Sequence, residues 1–308
     1  MIVGLTGNFR DPWALEVDLE YDLRAIGHVP VRLQEDEVLA EDAPIILAAV
    51  QAKVVIATRP HQLAGDHAEM FRGFRRAGIV SVLYSPDLYH GLVRQDSLDQ
   101  DPWWRADLCF TADGDTPVEA WEQREIRHRW LPPAVGSRWC GLAQPDAERF
   151  PPLVAFVGSR SRPEWDARTV LVNRLATTYG ADFFWYGPTR VVHGADLNVL
   201  CATVPVLVGD AKPGSDRYYS DRVFQLVGRG AYFLHPRTRD LENRLLPGVH
   251  ADYYDQDDLE ALTKKIDLRL QDLASARKIA VAGMGVVAQH HTQRNRLEAI
   301  LQVAEGSR

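Results

Sequence analysis

Short runs of β-branched and aromatic residues alternate along the chain with segments whose hydrophobic residues recur at the helical period. In the first half this pattern predicts six strands, at 2–5, 29–33, 53–57, 79–84, 107–111 and 127–131. Amphipathic segments lie between several of them, most clearly at 15–26 and 63–77. Strands and helices that alternate at this spacing are typical of βαβ units on a parallel sheet.

A proline-rich stretch interrupts this rhythm near the middle of the chain. It contains Pro132, Pro133, Pro145, Pro151 and Pro152. Proline at this density opposes both helices and central strands. We therefore predict an N-terminal domain at 1–134, a linker at 135–152 and a second domain at 153–308.

The alternation resumes after the prolines and ends in helices. Strands are predicted at 153–157, 182–186, 204–208 and 231–235, and helices at 165–179, 195–203 and 220–227. Three further helices are predicted at 259–270, 274–289 and 294–303. The predicted fold class is α/β, with two doubly wound domains in tandem and a helical C-terminus.

Composition narrows the class of protein. The chain has 308 residues, of which 46% are hydrophobic and 25% charged, as in ordinary globular domains. It has no apolar run long enough to span a membrane and no signal peptide at its start, so we expect a cytoplasmic protein, in the host cytoplasm if it is phage-encoded. Its three cysteines form no CxxC pattern, and we expect neither a metal site nor a tightly bound cofactor.

Charge is distributed unevenly between the two halves. Residues 1–150 hold 15 Lys and Arg against 24 Asp and Glu, a balance of −9, while residues 151–308 hold 20 against 18, a balance of +2. The second half is therefore the better host for an anionic ligand. The acidic first half is unfavourable for general binding to nucleic acid, which depends on neutralising phosphates.

The second half has four turns that we expect at one edge of its predicted sheet, the edge at the carboxyl ends of the strands. They are Gly158-Ser159-Arg160, Tyr186-Gly187, Gly209-Asp210 and the helix start Ser220-Asp221-Arg222. Parallel α/β sheets bind ligands at this edge, where glycines let a ligand approach the backbone and arginines bind phosphate oxygens. The helix that starts at Ser220 and stops at Gly228-Arg229-Gly230 also presents free N–H groups at its start. The pattern indicates a site for a phosphate-bearing ligand.

Common nucleotide motifs do not explain these turns. The sequence has neither GxxxxGK[ST] nor GxGxxG after a strand. Asp113-Gly114-Asp115 has the form of a DxD metal motif, but we expect it to cap the following helix.

The second half resembles the donor domain of GT-B glycosyltransferases, in particular the spore-maturation-type, CgeB-like branch of the glycosyl transferase group 1 proteins. The segments that carry the resemblance are FVGS (156–159), YG (186–187), HGADLN (193–198), SDRVFQLVGRGAYFL (220–234), YYDQDDLEALTKKI (253–266) and HHTQRNRLEAIL (290–301). The first half is similar to glycosyltransferase-like proteins of bacteriophages through EYDLRAIGHVPVRLQED (20–36) and SPDLYHGLVR (85–94).

The resemblance implies two Rossmann-like domains facing a central cleft and sugar transfer, without a metal, from a nucleotide diphosphate sugar, with UDP-sugar the expected donor. It places the diphosphate near Gly158, Ser159, Arg160, Asp221 and Arg222, and the nucleobase near His193 and Gly194. The family has a ribose-binding glutamate where this chain has Gln225, which puts the affinity for ribose or the identity of the donor in question. The full set of expected donor-binding residues is Gly158, Ser159, Arg160, Tyr186, Gly187, His193, Gly194, Ser220, Asp221, Arg222 and Gln225.

Candidates for the acceptor side lie at strand ends of the first domain. Asp87 and His61 are the candidate catalytic bases, and Gly7, Asn8 and His90 are the other candidates for the acceptor side. The acceptor could be a hydroxymethylated pyrimidine of phage DNA, a saccharide, a small molecule or a protein. A non-catalytic sugar-nucleotide-binding protein and an epimerase of the same fold remain alternatives, as do monomer and homodimer.

Overall fold

The computed structural model describes residues 1–59, 62–86, 97–113, 118–159, 166–187, 189–211 and 217–307. The chain divides into two compact units. Unit 1 comprises Met1–Arg138 together with Gln293–Arg308, and unit 2 comprises Trp139–Thr292.

Unit 1 is built on a parallel sheet with the strand order β2-β1-β3-β4-β5-β6. The strands are β1 Ile2–Gly7, β2 Val29–Gln34, β3 Val54–Ala57, β4 Val80–Ser85, β5 Leu108–Thr111 and β6 His128–Trp130. Its helices are α1 Leu15–Ala25, α2 Ala43–Ala49, α3 His67–Ala77, α4 Ser97–Gln100, α5 Val118–Glu122 and the C-terminal α12 Gln293–Gly306. Two clusters of buried apolar residues pack against this sheet, as expected for strands covered by helices on both faces.

Helix α12 belongs to unit 1, although the sequence-based boundaries assigned it to the second domain. Its apolar stripe, including Leu297 and Ile300, lies in one cluster with Leu19 and Leu23 of α1. The buried Arg296 donates hydrogen bonds to the carbonyl of Pro132 (2.7 Å) and to that of Pro133. The stripe predicts that α12 packs on an apolar surface, but only the tertiary contacts decide which one.

Unit 2 is built on a second parallel sheet, with the order β11-β10-β9-β7-β8. The strands are β7 Val154–Val157, β8 Phe183–Tyr186, β9 Val206–Val208, β10 Phe233–Pro236 and β11 Asp252–Tyr254. Its helices are α6 Asp166–Tyr179, α7 Gly194–Thr203, α8 Arg222–Val227, α9 Leu241–Arg244, α10 Leu259–Gln271 and α11 Leu273–His290. The predicted fold class is confirmed, because both units are parallel α/β structures and the chain ends in three helices.

The largest differences from the predicted elements concern short segments. Helix α2 and strand β11 were not predicted, since a three-residue strand and a seven-residue helix leave almost no periodicity to detect. Helix α8 starts at Arg222 rather than Ser220, and the turn that ends it passes through Gly230 at φ +79°. A glycine at this position is the expected residue for a left-handed helix end.

Candidate functional site

The carboxyl edge of the sheet in unit 2 brings together the turns that follow β7, β8 and β9. Gly158 directly follows β7, Gly187 follows β8 and Gly209 follows β9. All pairs in this sheet are parallel, so these turns lie at one edge. This edge is the ligand-binding edge in open α/β sheets.

The turns after β7 and β8 are in close backbone contact. The N–H of Gly158 donates to the carbonyl of Tyr186 (2.8 Å), and the indole Nε1 of Trp185 donates to the carbonyl of Gly158 (2.8 Å). Gly187 has φ +139°, and a Cβ atom there would lie 2.0 Å from the Gly158 oxygen. Only glycine fits at position 187, and it holds the Gly158 turn in place.

Asp210, two residues after β9, binds two arginines. Its Oδ2 accepts from Nε of Arg168 (2.7 Å), and its Oδ1 accepts from Nη1 of Arg222 (3.0 Å). The side chains of Asp210 and Arg168 are 5% and 4% exposed, and that of Arg222 is 18% exposed. We call these three residues the Asp210 cluster. The two guanidinium groups and the one carboxylate of the cluster together carry a formal charge of +1.

Arg222 lies directly beside the glycine turn after β7. Its guanidinium packs over the ring of Phe156, 5.5 Å from the centroid, and a Cβ atom at Gly158 would lie 3.0 Å from its Nη2. Among the described residues, Asp210 is the only hydrogen-bond acceptor of Arg222. Its other N–H groups therefore keep their capacity for an anion that approaches the Gly158 backbone.

A neutral histidine lies next to this cluster. His235 of β10 is buried, and burial lowers its pKa to about 4. Its Nδ1 lies 2.8 Å from the carbonyl of Pro236, a contact that requires the proton on Nδ1. His235 therefore adds no charge near neutral pH, and the positive charge at this edge comes from the arginines.

Gln225 lies one helical turn after Arg222 on the same face of α8. Its Oε1 accepts a hydrogen bond from Nη1 of the buried Arg229, which also binds the Gln225 backbone carbonyl (2.9 Å). Arg229 is held in turn by Oδ1 of Asn198 at 3.0 Å from its Nε. Arg229 thus takes one acceptor position of the Gln225 amide oxygen, and the NH₂ group is left for a ligand.

The remaining predicted donor residues differ in their surroundings. Tyr186 is buried against Phe150 and Phe184, with ring centroids 5.8 and 4.5 Å away, so its ring packs inside the unit. His193 is exposed at the start of α7, which Gly194 enters at φ +54°. Ser220 and Asp221 precede α8, and the Asp221 side chain makes no capping hydrogen bond.

Several predicted residues lie outside the described part of the chain. These are Arg160 on the donor side, His61, Asp87 and His90 on the acceptor side, and Gly114 and Asp115 of the DxD-like sequence. Asp113 is described and buried, and its backbone N–H donates to Oγ1 of Thr111 (3.1 Å). Within the described ranges, no group of three or more His, Cys, Asp or Glu residues could hold a metal ion. Within the same ranges, no helix is both long and apolar enough to cross a membrane.

Sequence reasoning missed the role of Arg168 and the pairing of Asp210. Asp210 was visible as a polar residue just after a buried strand, which is the signal for the ligand-binding edge. Arg168 lies on α6, 42 residues earlier, and nothing in its local sequence indicates its partner.

The carboxyl edge of the sheet in unit 1 contains the described acceptor-side candidates. Gly7, the last residue of β1, has φ +151°, and a Cβ atom there would lie 2.2 Å from Cγ of Glu16. Oδ1 of Asn8 accepts from the N–H of Arg10 (3.1 Å), so this side chain closes a local turn. The sequence-based prediction did not include the buried Glu16.

Residues 154–302 match the profile of the family described as Glycosyl transferase-like. No curated protein gives a significant match. The fold is similar to that of a glycosyltransferase from Rickettsia africae ESF-5, with 10% identity, a TM-score of 0.67 and coverage of 99% of this chain and 98% of that one.

Two further similar structures contain a nucleotide. Anabaena Alr3699/HepE, solved in complex with UDP and glucose, has 12% identity, a TM-score of 0.64 and coverage of 99% and 100%. An alpha-glucosyltransferase, solved in complex with UDP and a 13-mer DNA containing an HMU base, has 8% identity, a TM-score of 0.71 and coverage of 99% of both chains. The chain thus has the GT-B fold of glycosyltransferases, and its residues 154–302 are similar to the Glycosyl transferase-like family.

Proposed function

We propose that this protein transfers a sugar from a nucleotide diphosphate sugar, with UDP-sugar as the donor, to a hydroxyl group. The observation that carries the proposal is the Asp210 cluster, with its net positive charge beside the Gly158 turn. Guanidinium groups and open backbone are the groups that bind phosphate oxygens. The UDP in the complexes of Alr3699/HepE and the alpha-glucosyltransferase supports a uridine nucleotide.

In this proposal Arg222 stabilises the leaving diphosphate. The bond from the anomeric carbon to the diphosphate breaks as the acceptor oxygen bonds to that carbon, and negative charge grows on the diphosphate. Asp210 and the ring of Phe156 hold the Arg222 guanidinium in place beforehand, and preorganised charge of this kind lowers a reaction barrier. Arginine supplies the positive charge that a metal ion supplies in other enzymes, so we propose a reaction without a metal.

The resemblance to GT-B donor domains supports the other donor contacts. We assign the diphosphate to Gly158, Ser159, Arg160 and Arg222, the nucleobase to His193 and Gly194, and the ribose to Gln225. Gly187 acts through the Gly158 turn that it supports. Asp87 and His61 stay the proposed bases, with His90 beside the acceptor.

The acceptor that we favour is a hydroxymethylated pyrimidine in DNA. The DNA complex of the alpha-glucosyltransferase supports it, as does the resemblance of residues 20–36 and 85–94 to phage proteins. The balance of −9 in residues 1–150 weighs against it, since DNA binding requires basic residues. A saccharide, small-molecule or protein acceptor is the alternative, and a turnover rate that does not change with salt would favour it.

A non-catalytic sugar-nucleotide-binding protein is the second candidate function. The state of Gln225 favours it, because an amide with its oxygen bound to Arg229 presents no charged acceptor to ribose hydroxyls. Such a protein binds UDP-sugars but releases no UDP from them.

The test compares Arg222→Ala with Arg237→Ala, a control on an exposed arginine of the same unit. We expect the wild type to bind UDP and to release it from UDP-glucose or another UDP-sugar. Arg222→Ala should weaken UDP binding by roughly 10- to 100-fold in calorimetry, since a hydrogen bond to a charged group contributes about 1.5–3 kcal/mol. Arg237→Ala should stay within about twofold. Equal affinities of the two variants would remove the Asp210 cluster from the donor site.

A further inference from the structure

A buried carboxylate lies at the carboxyl edge of the sheet in unit 1. Glu16, in the first turn of α1, is 5% exposed. Glu16 accepts hydrogen bonds from Thr58, which directly follows β3, and from Gln62. Thr6, near the end of β1, is hydrogen-bonded to Gln62 in turn. We call these four residues the Glu16 network. In the order β2-β1-β3, the connection from β1 leads to β2 on one side, and β3 then lies on the other side of β1. Open α/β sheets bind ligands at such a switch point.

The hydrogen bonds of the network orient two donors toward one oxygen of Glu16. Thr6 Oγ1 and the N–H of Thr58 donate to Oε1 of Gln62, at 2.6 and 3.1 Å. The NH₂ of Gln62 donates to Oγ1 of Thr58 (2.8 Å) and to Oε1 of Glu16 (2.9 Å). The Thr58 hydroxyl donates to the same Glu16 oxygen. Oε1 of Glu16 therefore accepts two hydrogen bonds. Turning the Gln62 amide or the Thr58 hydroxyl around would break at least one bond of the network.

The second oxygen of Glu16 is left open. Among the described residues none donates a hydrogen bond to Oε2, and this atom is not enclosed by the protein. Among the described residues, the only cation paired with the carboxylate is Arg59, whose Nε lies 3.9 Å from Oε1 and whose Nη2 binds Glu35 (2.8 Å). The network thus presents one oriented hydrogen-bond acceptor with negative charge at the strand ends.

We infer that Glu16 binds the hydroxyl group of the acceptor through Oε2, an inference that rests on the proposed sugar transfer. A carboxylate oxygen attracts an O–H donor and repels phosphate oxygens. Oε2 of Glu16 therefore suits the hydroxyl group of the acceptor and not the diphosphate of the donor. A hydrogen bond from the hydroxyl to a carboxylate also raises the electron density on the oxygen that attacks the anomeric carbon. Glu16 is thereby a specificity residue for a hydroxyl-bearing acceptor.

Glu16→Gln tests this because the network dictates which way the new amide points. Thr58 and Gln62 both donate to the Oε1 position, so the amide oxygen must take it. The NH₂ group then occupies the Oε2 position and presents donors where the wild type presents an acceptor. Shape and internal hydrogen bonds are kept, so the variant should fold with a nearly unchanged melting temperature.

The measurement is UDP release from UDP-glucose, with water and then a DNA oligomer containing 5-hydroxymethyluracil as acceptor, together with the Kd for UDP. We expect Glu16→Gln to lower the rate by about tenfold or more and to leave the Kd within about twofold. The matched control is Glu20→Gln on the same helix, a buried glutamate bound to Arg24 and Arg32. It should keep the wild-type rate.

The outcomes separate this inference from the proposed function. A Glu16→Gln rate within twofold of the wild type, or no lower than that of Glu20→Gln, overturns the role of Glu16 while sugar transfer stands. A loss of UDP affinity that matches the loss of rate assigns Glu16 to folding or donor binding and also overturns it. A wild type that binds UDP but releases none from UDP-glucose or any other UDP-sugar overturns the proposed catalysis and the role of Glu16 with it.

Discussion

The carboxyl edges of the two sheets contain buried carboxylates in opposite electrostatic settings. In unit 1, Glu16 is held by the hydroxyl of Thr58 and the amide of Gln62, and its second oxygen stays open. In unit 2, Asp210 is held by Arg168 and Arg222, and both of its oxygens are occupied. One edge presents a negative acceptor and the other presents excess positive charge. Two parallel sheets of similar construction thus suit different ligands, because the side chains at the strand ends set the local charge.

The difference also shows what each carboxylate does for its unit. Asp210 neutralises part of a buried pair of cations, so it stabilises the fold and orients Arg222. Glu16 neutralises little buried positive charge, since its neighbour Arg59 is exposed over about half of its side chain and pairs with Glu35. A carboxylate that the fold does not need for charge balance is free to bind a ligand.

The largest expected effect comes from removing the charge of Asp210. Asp210→Asn breaks the buried ion pair between Asp210 and Arg168, which should lower the free energy of unfolding of unit 2 by about 3–5 kcal/mol. Glu16→Gln should lower the free energy of unfolding of unit 1 by about 1 kcal/mol or less, since its hydrogen-bond partners are neutral and Arg59 is exposed. Urea unfolding followed by hydrogen exchange in each unit measures both values. Similar losses of unfolding free energy in the two variants would contradict the proposed difference in charge balance between Asp210 and Glu16.

A smaller loss of stability is expected at acidic pH, and it should occur in both units. Burial lowers the pKa of His235 in unit 2 and of His128 in unit 1 to about 4. Unfolded imidazoles bind protons below about pH 6.5, whereas these two stay neutral to about pH 4, so acid favours the unfolded chain. Stability should be constant above pH 6.5 and fall as the pH drops toward 4, by roughly 2–4 kcal/mol for each histidine.

The two histidines can be separated by substitution. His235→Gln should flatten the pH dependence of hydrogen exchange in unit 2 alone, and His128→Gln should do so in unit 1 alone. The exposed His193 provides the control, as His193→Gln should leave both slopes unchanged. A slope that persists in both variants would assign the acid sensitivity to other groups, among them His28 in unit 1 and His250 in unit 2, whose pKa values burial also lowers.

The smallest expected effect concerns Gln225. In Gln225→Glu one carboxylate oxygen would pair with Arg229 and the other would become an acceptor for ribose hydroxyls. We expect the preference for UDP over 2′-deoxy-UDP to rise by about two- to tenfold, measured by calorimetry with both nucleotides. Gln271→Glu, an exposed position in the same unit, should leave the preference unchanged. An unchanged ratio in Gln225→Glu would place the ribose elsewhere.

Much of the fold was predictable because its signals are local. The buried runs that became β3 and β7 are almost wholly apolar, and α3 ends at Gly78 with φ +65°, as a helix end requires. The site was predictable only in part. The position of Arg222 beside a glycine turn followed from its place at a helix start, but the packing of the Tyr186 ring inside the unit did not.

The sequence by itself determined the alternation of the longer strands and helices, the glycine turns at the strand ends and the charge contrast between the halves. The tertiary structure alone decided that Arg168 meets Asp210 across 42 residues, that Glu16 meets Gln62 across 46, and that α12 packs on unit 1. The physical reason is that hydrophobic period and turn residues act over a few positions. A buried charge, by contrast, is stable only against a partner that the completed packing brings to it.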